Sequence, residues 1–188
     1  MKLGIKLTAA FMAALLLMCA AALWGLYNMH QAVDTYATDV RGHTDNTRAV
    51  ASINSTFKTQ VQEWKNTLLR GSDPKLLDKH WVAFEAEEKK VAGAMQALAS
   101  ALTESDGKDI AQQFSREHAI LGEKYRKGLA AFKQAGFDSR AGDAAVAGID
   151  RNASRLLDEL TKKIDTDAAA VASSADASAS RALVTSLI

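Results

Sequence analysis

From Val50 onward apolar residues return every three or four positions: Val50, Ile53, Phe57, Val61, Trp64 and Leu68, the stripe of an amphipathic helix. The string "GSDP" then supplies Gly71 to stop that helix, Asp73 to cap the next and Pro74 for its first turn. Phe57 to Trp81 therefore reads as a helical hairpin. The second helix carries Leu77, Trp81, Phe84, Val91, Met95, Leu98 and Leu102 on one stripe, with Glu88 the single polar residue at that spacing. Thr103 to Asp109 breaks the pattern, with Ser105, Asp106 and Gly107 as turn chemistry. A third stripe follows through Ile110, Phe114, His118, Leu121, Tyr125, Leu129 and Phe132. "AGFDSRAGD", Ala135 to Asp143, is the next break, and Val146, Ile149, Ala153, Leu156, Leu160, Ile164 and Val171 mark a fourth helix. The seven-residue repeat of these stripes predicts left-handed, coiled-coil-like packing. The expected fold is all-α, an antiparallel up-down-up-down four-helix bundle.

Ahead of the bundle, Leu7 to Tyr27 contains no charge and at about 1.5 Å per residue can cross a hydrocarbon core of about 30 Å. The run is a membrane span or a signal peptide. A secretory peptide has a shorter apolar core followed by a small-residue cleavage site, whereas "AALLLMCAAALWGLY" runs longer and ends on Trp24 and Tyr27, side chains suited to a membrane interface. An uncleaved span is the favoured reading. Lys2 and Lys6 then place residues 1–6 in the cytoplasm and everything after Tyr27 outside. At the other end, polar, alanine-rich sequence gives way after Arg181 to "ALVTSLI", read either as a short amphipathic end or, preferably, as the start of a second span at 182–188. Asn28 to Arg70 and Gly142 to Arg181 are nearly equal in length, each reaching about 60–65 Å as helix. The resulting plan is a span over 7–27, continuous with a sensor bundle over 28–181 whose first and last helices both return to the membrane.

Composition narrows the partners. A net charge of +1 offers no clustered basic face for nucleic acid. The one cysteine, Cys19, lies in the apolar run, so neither a disulfide within the chain nor a Cys-based metal site is expected. Among the histidines none stands three residues after a glutamate as a di-iron bundle requires, and haem, zinc-protease, phosphate-loop and nucleophile-elbow motifs are absent. No catalytic residue, metal or cofactor is expected. His118 reads as a core or boundary histidine before it reads as a ligand contact, and Trp64 and Trp81 as core pieces at the hairpin. Cations near the distal end carry more chemistry: Arg70 closing the first helix, Arg126 beside Tyr125 in the third, and Arg151 and Arg155 opening the fourth. Arg151 and Arg155, four apart, share a helix face suited to forking a small dicarboxylate, against the plainer alternative of surface pairs with Asp150, Asp158 and Glu159. Arg70, Tyr125, Arg126, Arg151 and Arg155 are the candidate ligand-binding residues.

"FKTQVQEWKNTLLRGSDP", followed by "HWVAFEAEEKKV", resembles the periplasmic four-helix-bundle ligand-binding domain of bacterial methyl-accepting chemotaxis proteins, and "EHAILGEKYRKGLAAF" and "AVAGIDRNASRLLDEL" look like its third and fourth helices. The resemblance implies a chemoreceptor in the inner membrane with its bundle in the periplasm. It further implies a homodimer packed through the first helix, a small organic acid or amino acid bound between subunits near the distal end, and a slight axial displacement of the last helix on binding. The chemotaxis kinase and adaptor would be reached only through cytoplasmic parts that these residues do not include. First-helix arginines hold the ligand's carboxylates in such receptors, yet between Asn54 and Leu69 this helix offers only Lys58 and Lys65 as cations. Two other functions stay open on the sequence: the same bundle serving a histidine kinase or diguanylate cyclase, and a membrane-anchored structural bundle without a ligand.

Overall fold

The computed structural model describes residues 3–35 and 40–186, giving backbone alone for 3, 5, 32, 35, 179 and 181–186. The described residues hold six helices: α1 (Leu3–Thr35), α2 (Arg41–Arg70), α3 (Pro74–Ala101), α4 (Ser105–Gln134), α5 (Ser139–Ala145) and α6 (Arg151–Ser186). They divide into two compact units, one containing residues 1–43 and 168–188 and the other residues 44–167. The second unit is the bundle, built from α2, α3, α4, the short α5 and the first part of α6. Its core joins Ile53, Phe57 and Trp64 of α2 with Phe84, Val91 and Met95 of α3, Phe114, Leu121 and Phe132 of α4, and Leu156, Leu160 and Ile164 of α6.

The hairpin forms as its residues require. Asp73 accepts hydrogen bonds from the backbone N–H groups of Lys75 and Leu76 at 2.8 and 3.3 Å, and Pro74 occupies the first turn, where its missing N–H costs nothing. Asp73→Ala is expected to remove about 1 kcal/mol of stability, read as a lower urea midpoint with an unchanged slope. At the far end of α4, Gly136 at φ 66° lets the Phe137 N–H reach the Phe132 carbonyl at 2.9 Å and its own N–H reach Lys133 at 3.2 Å. The Phe132 and Phe137 rings then meet edge-on, 5.4 Å between centroids, completing a Schellman stop.

Three expectations need correction. α4 starts at Ser105, so the second break is confined to residues 102–104, and Ser105, Asp106 and Gly107 form its first turn. Within the predicted third break lies α5, capped by Asp138 onto the Arg140 N–H at 3.0 Å, so the fourth helix begins at Arg151 instead of Gly142. Gly142 of α5 lies so close to Leu68 and Phe132 that a Cβ there has no room. Lastly, the apolar stripes of α2 and α3 are buried as expected through Ile53, Phe57, Trp64, Phe84, Val91 and Met95, but at one point on each helix the neighbouring polar residue takes the inward place: Gln60 and His80 are buried, while Val61 and Trp81 are only half-buried.

In the other unit, Lys6–Gln31 of α1 is long and apolar enough to cross a membrane, and Leu7, Phe11, Leu17, Trp24 and Tyr27 are all exposed. The junction between this helix and the bundle, at residues 36–39, lies outside the described residues. So do residues 1–2 and 187–188 and the side chains over 181–186, which contain most of the expected second span.

Candidate functional site

The distal third of the bundle is organised by aromatic rings. Trp64 of α2 packs on Tyr125 of α4 at 5.1 Å and meets Trp81 edge-on at 6.4 Å, while Phe84 stacks on Trp81 at 4.9 Å and meets Tyr125 edge-on at 5.1 Å. Such offset and edge-on contacts suit the ring quadrupoles and add to the burial energy. Gly128 makes room for Val146 and for the indole, since a Cβ there would stand 2.6 Å from Val146 and 3.1 Å from Trp64. The two tryptophans are thus packing elements of the hairpin.

This cluster decides where the candidate residues sit. Tyr125 is buried, and burial first, then the charge of Asp150, pushes its hydroxyl well above the ordinary tyrosine range. It stays a neutral phenol close to the start of α6. Arg126, its neighbour, turns instead toward α3 and is gripped by Glu88, Nη1 donating to Oε1 at 3.0 Å and Nη2 to Oε2 at 2.6 Å, with Glu85 at 3.7 Å. Gly122 permits this, because a Cβ there would collide with the Glu88 carboxylate. The hydrogen bonds it donates to Glu88 raise the Arg126 pKa further, so it remains cationic with its fork already filled. Arg155 donates to Glu159 at 2.7 Å and to Asn152 at 3.0 Å, both on its own helix.

Arg70, at the end of α2, and Arg151, whose guanidinium lies over Gly148, are exposed and make no ion pair among the described residues. The five candidates therefore share the distal region without converging on one pocket, and only Arg70 and Arg151 present an uncompensated charge. Lys58 and Lys65, on the exposed side of α2, are likewise unpaired. Among the described residues no group of three His, Cys, Asp or Glu side chains is placed to hold a metal ion.

Reading the sequence missed a polar layer below the rings. Gln60 is fully buried and its Oε1 accepts from His118 Nε2 at 2.8 Å, while Glu63 accepts from His80 Nδ1 at 2.7 Å. Glu88 stands out in the sequence by its place on the α3 stripe, whereas Gln60, Glu63 and His80 carry no comparable signal.

A model of the four-helix-bundle sensory modules of signal transduction matches residues 1–182 of the chain. The chain belongs to this family. Members of this family are sensory modules of signal transduction, signalling receptors rather than enzymes. Methyl-accepting chemotaxis protein CtpH of Pseudomonas aeruginosa is similar, 40% identical over 126 residues that cover 65% of this chain and 22% of CtpH. The chain thus spans about a fifth of the length of that relative. No solved structure matches the chain.

Proposed function

We propose that this sensory module is the receptor end of a membrane chemoreceptor, which binds a small anionic ligand outside the cytoplasm and relays occupancy to chemotaxis signalling. In this reading residues 7–27 span the inner membrane, 28–181 stand in the periplasm, and a second span begins at 182. Two copies associate, and the chemotaxis kinase and adaptor act through parts of the receptor beyond this chain. The observation that carries the ligand class is the pair of unneutralised guanidinium groups at the distal end, Arg70 and Arg151, on a bundle similar to part of CtpH. A guanidinium offers parallel N–H donors matched to carboxylates and other oxyanions. Arg126 and Arg155 already satisfy acids of this chain and serve less well.

The mechanism is a shift between two helix positions. A ligand biases them only by its difference in affinity, commonly about 1–3 kcal/mol, and α6, helical over Arg151–Ser186, is the element that would carry that bias away from the site. The test is a thermal-shift screen of the 188-residue chain in micelles against carboxylic acids, amino acids and inorganic oxyanions. A binder raises the unfolding midpoint by mass action. Arg70→Ala with Arg151→Ala is expected to weaken that binder by about 10-fold or more while leaving helicity intact, in line with the loss of one charge-assisted contact. Unchanged affinity in the double variant removes both arginines from the site. Silence from every anion contradicts direct anion binding.

A further inference from the structure

Below the aromatic cluster, α2 is joined to its neighbours by two buried histidines. His80 of α3 bonds Glu63, and His118 of α4 bonds Gln60, three residues lower on the same helix. The two joins are chemically unequal. A proton added to His80 finds a carboxylate 2.7 Å away. A proton added to His118 goes to Nδ1, because Nε2 already donates to the Gln60 amide, and the ring it charges lies between the stacked ring of Phe114 at 5.5 Å and the edge-on ring of Phe57 at 6.0 Å. The layer is also short of protein partners, since Gln60 Nε2 and His80 Nε2 are buried with no hydrogen-bond partner among the described residues. Buried groups left in this state make a packed layer costly to hold and easy to disturb.

We propose that this layer is an acid-responsive element, in which proton uptake by His118 puts a charge with no carboxylate in contact into the packed layer between α4 and α2 and loosens the two helices when the surrounding medium acidifies. It stands independently of the distal arginines. The charged groups around His118 leave the added charge unanswered. From α2 come neutral Gln60 and, one turn away, Glu63, which His80 holds. From α3 comes Glu88, the one carboxylate whose charge acts on His118, with both its oxygens held by Arg126 of α4. The buried residues of α6 here, Ala153, Leu156, Leu157, Leu160 and Ile164, are all apolar.

Burial accordingly lowers the His118 pKa from its ordinary value of 6.5, with Glu88 offsetting part of the effect. A base whose folded-state pKa is depressed binds fewer protons folded than open. Opening is therefore favoured as pH falls below 6.5, by up to about tenfold per pH unit until the folded-state pKa is reached.

The experiment uses the 188-residue chain in micelles between pH 7.5 and 5.5, reading His118 ring resonances and the opening constants of α2 and α4 amides, corrected for intrinsic exchange. The expected result is a His118 midpoint below 6.5, with opening constants that rise several-fold as pH falls from 6.5 to that midpoint and level off beneath it. His118→Gln should flatten this rise. Gln60→Glu, which sets a carboxylate against the ring, should move the midpoint upward by about one pH unit or more and flatten the rise as well, as expected for an opposite charge within a few ångströms. A flat profile in the parent, or variants that follow the parent's profile, overturns the proposal. Should His118→Gln fail to fold, Gln60→Glu and the parent's ring titration decide it alone.

Discussion

Trp64→Ala is expected to cost the bundle about 3–5 kcal/mol and to lower its thermal midpoint by about 10–20 °C. The indole is 3% exposed and touches α3 and α4 at once, through Trp81 and Tyr125. Its far edge rests on the backbone at Gly128, where a Cβ would stand 3.1–3.2 Å from the ring carbons. A glycine has no side chain to fall into the vacated space, and Tyr125 is held on its other side by Phe84, so the cavity stays largely open. The size of the loss follows from that, since cost grows with the volume that neighbours fail to refill. Urea denaturation of Trp64→Ala beside Trp64→Phe measures it. A loss below about 1 kcal/mol in the alanine variant would mean that the ring is not packed as described.

How far the sequence alone leads differs from helix to helix. On α4 the predicted stripe is the observed one from Phe114 onward: Phe114, His118, Leu121, Tyr125, Leu129 and Phe132 are all buried, and only at its start does Ala111 take the inward place while Ile110 is half-buried. On α2 and α3 the same rule chose Val61 over Gln60 and Trp81 over His80, and the fold reverses both choices. A buried amide or imidazole becomes tolerable only through its partner, and the partner of Gln60 is 58 residues away on α4. Periodicity within one helix carries no trace of such a pairing. α5 escaped for another reason: seven residues are too few for a helical period, so Asp138 read as a turn residue when it is an N-cap.

The candidate site shows the same division. That Arg151 and Arg155 project from the first turns of α6 followed from a spacing of four, as did the plainer alternative of a pair with Glu159, which Arg155 makes. That Glu88 would fill the Arg126 fork required knowing the registry of α3 against α4 and the space left by Gly122. Composition places charges on helices; registry between helices decides which remain free for a ligand.

Two glycines should answer oppositely to enlargement, and their contrast tests the hairpin that holds the distal end together. Gly71→Val is expected to destabilise by about 3 kcal/mol, at the upper end of the usual cost of overpacking. Gly71 is buried where α2 turns into α3, and its Cβ would run into the Thr67 carbonyl while standing 2.8 Å from Phe132 and 2.9 Å from Leu77. The side chains can give way by rotating, but the carbonyl belongs to the last turn of α2 and moves only if the helix end moves. Gly93, by contrast, is an exposed position inside α3 with nothing within 4 Å of a Cβ. There alanine meets no obstacle and reduces the entropy lost on folding, so Gly93→Ala should add about 0.5–1 kcal/mol. Urea midpoints of the two variants, measured beside the parent, should therefore fall on opposite sides of it. A Gly71→Val midpoint at or above the parent's would show that the turn yields, and with it the fixed registry of α2 against α3 on which the Trp64 packing depends.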